Sequence, residues 1–306
     1  MLLITIGLFL LYLGSEALVR GSSSLALRFG ISPLIIGLTI VAFGTSAPEL
    51  VVSISAALKG SSGVAVGNVV GSNIFNVAAI LGITALIRPP SVHLSLIRRE
   101  IPILIVVSVF GFGLITFGHI SRVAGFLLFA GLCIYTITSI RSAKRETIID
   151  PDAPSKPPEL SAWLCSILIA SGLGLLIWGS QMFVTGAVNT ARSFGVPEAT
   201  IGLTIVAAGT SLPELATSVV AAFKRESDIA IGNIVGSNIF NILCILGITA
   251  CIQPIDVVGI GMLDLAFMLG LSLLLLPFAF TQRSISRSEG VVFLSIYGGY
   301  LYLMWP

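Results

Sequence analysis

Apolar residues in this 306-residue chain gather into long runs separated by short polar breaks. A run of about 18 or more apolar residues is long enough to cross a bilayer as an α-helix. Ten such spans fit the chain, near 2–19, 32–58, 63–87, 101–119, 123–140, 161–181, 196–223, 228–252, 258–280 and 289–305. A transmembrane barrel would show alternating segments of about ten residues, and these runs do not alternate. Residues 141–160, RSAKRETIIDPDAPSKPPEL, carry the Pro, Asp and Lys of a solvated linker. The pattern predicts an all-α polytopic membrane protein with a five-span half at 1–140, a linker at 141–160 and a second five-span half at 161–306.

Composition narrows the function. The chain is 56% hydrophobic and 10% charged, where a soluble domain carries about 25% charged residues. A net charge of +2 does not suggest nucleic-acid binding. There is no dinucleotide fingerprint and no phosphate-binding loop, so no ATP site is expected. The four cysteines, Cys133, Cys165, Cys244 and Cys251, lie in or beside apolar runs with no CxxC pair and read as small apolar residues. The two histidines, His93 and His119, sit near span ends, which excludes a His-rich metal site. No basic stretch precedes the first run, so that run reads as a retained span. Arg20 follows Glu16 by four residues, a spacing that pairs them near the end of span 1.

Basic residues are retained on the cytoplasmic side. With ten spans and both termini outside, thirteen of the 16 Lys and Arg residues face the cytoplasm, and only Lys59, Arg122 and Arg192 face outward. The expected location is the cell membrane, with the linker cytoplasmic.

An internal repeat is plain. Residues 37–50, GLTIVAFGTSAPEL, return at 202–215 as GLTIVAAGTSLPEL, and GNVVGSNIFN at 67–76 returns at 232–241 as GNIVGSNIFN. The offset is 165 throughout, and 36 of 59 positions agree between 31–89 and 196–254. Gly14-Ser15 and Gly179-Ser180 keep the same offset. Five spans separate equivalent points, so the halves are expected to lie in opposite orientations. Inverted repeats of this kind mark secondary transporters, with a binding site near the midplane.

Glu49 and Glu214, equivalent in the repeat, fall well inside apolar runs. An ionisable group at that depth costs about 2.5–3.5 kcal/mol or more, which makes function the default reading. No Lys or Arg shares the depth, so a cation is expected to balance them. Pro48 and Pro213 precede them, and a mid-span proline frees a carbonyl of the preceding turn. Gly44 and Gly209 loosen the same stretch, and freed carbonyls at membrane depth are tolerated where they line a cavity or ion site. Thr45 and Ser46 recur as Thr210 and Ser211. Asn68, Ser72 and Asn76, and again Asn233, Ser237 and Asn241, lie four apart on one helix face. They either line the site or make ordinary interhelical hydrogen bonds. Asn73 and Asn238 point off that face, toward backbone or neighbouring helices. Gly67 with Gly71, and Gly232 with Gly236, are spaced for close helix packing. Carboxylates, amides, hydroxyls and carbonyls are hard oxygen ligands that suit Ca²⁺, and Mg²⁺ less well. Na⁺ also takes oxygen ligands, so charge must distinguish it: two Glu residues neutralise one Ca²⁺ or balance two Na⁺.

These motifs, GTSAPEL with GNVVGSNIFN and GTSLPEL with GNIVGSNIFN, resemble the two α-repeats of the sodium/calcium exchanger family of the cation/calcium antiporter superfamily. The resemblance implies Ca²⁺ exchange against Na⁺ by alternating access, with no enzymatic activity and no cofactor besides the transported ions. It implies central Ca²⁺ ligation by Glu49, Glu214 and the carbonyls of Thr45 and Thr210. Ser46 with Ser72, and Ser211 with Ser237, would complete flanking Na⁺ sites with the carbonyls of Ala42 and Ala207. Asn76 and Asn241 would line the middle, and spans 1 and 6 would slide or rock against the core. Many relatives carry Asp where this chain has Asn241, which implies no K⁺ requirement. The lipid bilayer is the expected environment, with no obligatory protein partner. Proton/calcium exchangers, which typically carry a GNAxE-type signature, are the second reading. A channel is a third. An enzyme ranks last, since no His or Lys lies near Ser46 or Ser211 to act as base.

Overall fold

The computed structural model describes residues 1–149, 160–195 and 207–304, with 143–149 and 207 described by backbone only. The helices are α1 (Leu2–Phe29), α2 (Pro33–Thr45), α3 (Ala47–Leu58), α4 (Ser62–Ile87), α5 (Leu96–Thr116), α6 (Arg122–Ile149), α7 (Ala162–Ser193), α8 (Leu212–Phe223), α9 (Ser227–Ile252), α10 (Met262–Phe280) and α11 (Arg287–Met304). A single turn at Ala207–Gly209 precedes α8. Among the described residues, seven helices are long and apolar enough to cross a membrane, and the pair α2–α3, bent by 43°, makes eight. These eight fall in eight of the ten predicted spans; the seventh and tenth contain α8 and α11, which are not among the eight, and 196–206 of the seventh lie outside the described residues.

Burial sorts the helices. The most apolar stretch of α9 is 89% buried and that of α4 is 72%, against 22–39% for the other long helices. The two helices that carry the GNxVGSNIFN motif are therefore the centre of the bundle. The others turn apolar side chains such as Phe9, Phe126 and Trp178 outward. In water that surface would be unstable; in lipid it is the solvated one.

Helices α1 and α7 pack antiparallel along glycines seven residues apart: Gly7, Gly14 and Gly21 on one, Gly172, Gly179 and Gly186 on the other. A Cβ at Gly14 would meet the Gly172 carbonyl oxygen at 2.8 Å, and one at Gly179 would meet the Leu11 amide at 2.9 Å. The backbones touch directly, as small residues allow between membrane helices. Gly236 brings α9 equally close to α2, where an added Cβ would stand 2.6 Å from the Leu38 carbonyl.

Contacts between loops fall into two groups. At one end, Val92 donates its N–H to the Arg283 carbonyl (2.7 Å), Arg28 reaches the Leu160 carbonyl (3.4 Å), and His93 meets Asp228 (3.3 Å). At the other, β1 (His119–Ile120) pairs antiparallel with β2 (Ile255–Asp256), and His119 meets Asp256 at 2.7 Å. Each contact joins loops or span ends assigned to the same face by the ten-span reading. The two His–Asp contacts bracket α5 against both ends of α9.

The structure corrects several boundaries. Helix α1 runs to Phe29, ten residues past the predicted 2–19, and ends at Gly30 in the left-handed conformation (φ 60). Apolarity marks where a helix meets lipid, and α1 continues because it leans on protein: Ser23 donates to Glu226 (2.9 Å). Glu16 pairs with Lys224, so the expected Glu16–Arg20 pair gives way to a contact between helices. Helix α7 runs to Ser193 beside α1, past the predicted 181. Helix α6 continues to Ile149, into the predicted linker. Ala, Lys, Arg and Glu in that stretch favour helix. Cys165 and Cys244 are buried as expected, but Cys133 is exposed on the apolar surface.

Candidate cation site

The helix breaks ahead of both glutamates. Ser46 separates α2 from α3, Pro48 stands in the first turn of α3, and Glu49 follows it. Ser211, Pro213 and Glu214 repeat the arrangement at the start of α8. Pro213 has no N–H for the Gly209 carbonyl four residues back. Ser180 of α7 donates to that carbonyl at 2.6 Å, which ties α7 to the broken segment. Its repeat partner Ser15 instead donates to Leu11 within its own helix (2.6 Å).

Glu49 and Glu214 are each 1% exposed. Ser46 donates to Glu214 Oε1 and Ser211 to Glu49 Oε1, both at 2.9 Å. Each carboxylate is thus held by the serine of the other copy. Thr45 donates to Asn233 Oδ1 (3.0 Å) and Thr210 to Asn68 Oδ1 (3.4 Å), crossing in the same way. The amides of Asn68 and Asn233 then turn back on their own copies. Asn68 Nδ2 donates to the Glu49 carbonyl (3.1 Å) and Ser53 (3.0 Å), and Asn233 Nδ2 to the Glu214 carbonyl (3.3 Å) and Ser218 (3.1 Å). Spacing placed Asn68 and Asn233 on the site face but did not reveal this bracing. Ser53 and Ser218 lie outside the two repeated motifs, although their identity at offset 165 marks them in the sequence.

The ladders of α4 and α9 widen into π-helical turns at Phe75–Ile80 and Asn241–Leu246, a distortion frequent at functional sites. They carry Asn76 and Asn241, which are 0% and 1% exposed. Asn76 Nδ2 donates to Asn238 Oδ1 (3.1 Å) and Asn241 Nδ2 to Asn73 Oδ1 (2.9 Å). Ser72 Oγ lies 3.1 Å from Ser211 Oγ, whose single hydrogen goes to the closer Glu49 oxygen. The Ala42 carbonyl accepts from the Ser46 N–H (3.0 Å), and Thr45 Oγ1, whose single hydrogen goes to the closer Asn233 Oδ1, lies 3.3 Å from it. Ala207 begins the turn before α8.

Four buried acceptors in this cluster meet no donor: Glu49 Oε2, Glu214 Oε2, Asn76 Oδ1 and Asn241 Oδ1. They are two repeat-equivalent pairs, and Ser237 Oγ beside them is also unpartnered. A buried polar group without a partner costs about 1–3 kcal/mol, and more when charged. Four bare oxygens without a donor are what a cation would satisfy. No His or Cys belongs to the cluster, so its character is hard.

A family model described as sodium/calcium exchanger protein matches residues 1–141 and 165–305. The chain is 33% identical over 343 residues to the sodium/calcium exchanger MaX1 of Methanosarcina acetivorans, covering 99% of this chain and 98% of that one. It is 41% identical over 265 residues to the inner membrane protein YrbG of Escherichia coli, covering 82% and 79%. Among solved structures it matches the sodium-calcium exchanger NCX_Mj soaked with Na⁺ and Ca²⁺, with a TM-score of 0.85, 31% identity and coverage of 98% and 96%.

Proposed function

Because this chain belongs to the sodium/calcium exchanger family, a family of membrane antiporters and not of enzymes, we propose that it exchanges Ca²⁺ for Na⁺ across the cell membrane by alternating access. The observation that carries the proposal is the set of four donorless buried oxygens on Glu49, Glu214, Asn76 and Asn241. Ca²⁺ takes six to eight oxygens at about 2.3–2.6 Å. The carbonyls of Thr45 and Thr210 complete its central site. Ser46 with Ser72, and Ser211 with Ser237, serve flanking Na⁺ sites with the carbonyls of Ala42 and Ala207. The Ser46 N–H takes one lone pair of the Ala42 carbonyl, which leaves the other for Na⁺.

Charge explains the coupling. Two carboxylates neutralise one Ca²⁺ or two Na⁺, and a third Na⁺ leaves the site at +1. The two ions compete for the same oxygens, so one must leave before the other binds. The ion gradient drives the cycle without ATP. The chain is two five-helix halves in inverted orientation, with ten spans, both termini outside and the linker inside. Segregated basic residues and the same-face loop contacts support that topology. Helices α1 and α7 move against the core that holds the ions. No K⁺ is required, since Asn241 brings no third carboxylate.

The test is ⁴⁵Ca²⁺ uptake into Na⁺-loaded proteoliposomes. Uptake should rise with the outward Na⁺ gradient and fall as external Na⁺ is added. Uptake driven by a pH gradient without Na⁺ would replace this reading with proton/calcium exchange. Flux coupled to no counter-ion would point to a channel.

A further inference from the structure

We propose that Asn73 and Asn238 are positioning residues that decide which end of the Asn241 and Asn76 amides faces the cation. A side-chain amide presents an oxygen acceptor and an NH₂ donor in nearly the same place, and a half-turn exchanges them. Toward a cation the oxygen is a ligand and the NH₂ is repulsive. Something must hold the amide the right way round, because a lone asparagine has no such preference.

The structure supplies a one-way chain of hydrogen bonds. Asn73 Nδ2 donates to the backbone carbonyl of Asn238 at 3.3 Å. A carbonyl can only accept, so this bond fixes Asn73 with its NH₂ on that side and its oxygen on the other. Asn241 Nδ2 donates to that oxygen at 2.9 Å. The donor end of Asn241 is thereby turned away, and its oxygen is left without a donor. In the other copy Asn76 Nδ2 donates to Asn238 Oδ1 at 3.1 Å, and Asn76 Oδ1 is left bare; Asn238 Nδ2 meets no acceptor, so the backbone anchor of the chain lies on Asn73 alone. All four side chains are at most 3% exposed, which leaves bulk water little part in reorienting them. The pairs 73/238 and 76/241 are equivalent at the repeat offset, and each orienting residue lies in the opposite copy from the amide it orients.

The proposal rests on the cation reading of the four oxygens, and the test separates the two. Wild-type protein in proteoliposomes must show saturable ⁴⁵Ca²⁺ uptake; its absence would overturn the cation reading itself. Given that uptake, Asn73→Ala should raise the half-saturating Ca²⁺ concentration about tenfold, the effect of one hydrogen bond's worth of binding free energy, with a smaller change in maximal rate. A carboxylate offers oxygen in either rotation. In an Asn241→Asp background, Asn73→Ala should therefore leave the half-saturating concentration unchanged. Asn238→Ala paired with Asn76→Asp gives the same test in the other copy and serves if Asn73→Ala does not fold. An unchanged half-saturating concentration in Asn73→Ala would overturn the proposal. So would an equal rise with and without Asn241→Asp, since loss of mere packing would not depend on residue 241.

Discussion

Glu49 and Glu214 each keep one oxygen tied to a serine of the opposite copy and one oxygen bare. Glu49→Gln or Glu214→Gln removes one of the two carboxyl groups and places an NH₂ among the donorless oxygens. Either variant should reduce Na⁺-dependent ⁴⁵Ca²⁺ uptake to background while still folding, as monitored by size-exclusion chromatography. Asn68 does different work, since it holds the Glu49 carbonyl and Ser53 and accepts from Thr210. Asn68→Ala should cost about 1–3 kcal/mol of stability, seen as a lowered melting temperature of the detergent-solubilised protein. The glutamates were legible in the sequence because a carboxylate in an apolar run has no cheap structural explanation. The bracing by Asn68 and Asn233 was not. A spacing of four says which face a side chain shares, not which partner across the bundle it meets.

The helices show the same division between what a pattern states and what packing adds. Hydropathy placed a helix in every predicted span, yet it stopped α1 and α7 about ten residues short, because the added stretches pack against protein at Gly21, Ser22, Ser24 and Ala26 of α1 and Gly186 of α7. The glycines on these two helices carry no hydropathy signal, but they set how close the helices come. Gly14→Leu would drive a side chain into the backbone of α7. It should lower the melting temperature by the equivalent of about 1–3 kcal/mol or more. Gly174→Leu, on the same helix pair but with nothing within 4 Å of the added Cβ, should leave it nearly unchanged. The breaks at Ser46 and Ser211 were readable from Pro48 and Pro213. The π-helical turns at Asn76 and Asn241 were not, because no residue type demands them.

For the molecule as a whole, the sequence predicts a sidedness that labelling tests. In a cysteine-free background, Lys59→Cys should react with a membrane-impermeant maleimide in intact cells, and Arg141→Cys only after the membrane is opened. The reverse pattern would invert the topology. The repeat announced that two copies exist but not how they join. The structure answers with bonds that cross: Ser46 to Glu214, Ser211 to Glu49, Thr45 to Asn233, Thr210 to Asn68, Asn76 to Asn238 and Asn241 to Asn73. A half of this chain is therefore not a smaller version of the whole. Split into 1–140 and 161–306, each fragment would hold a glutamate whose serine is on the other fragment. Damage to a serine in one fragment would appear as a defect at the glutamate of the other, so genetic complementation between fragments would follow these crossed pairs and not the order of the chain.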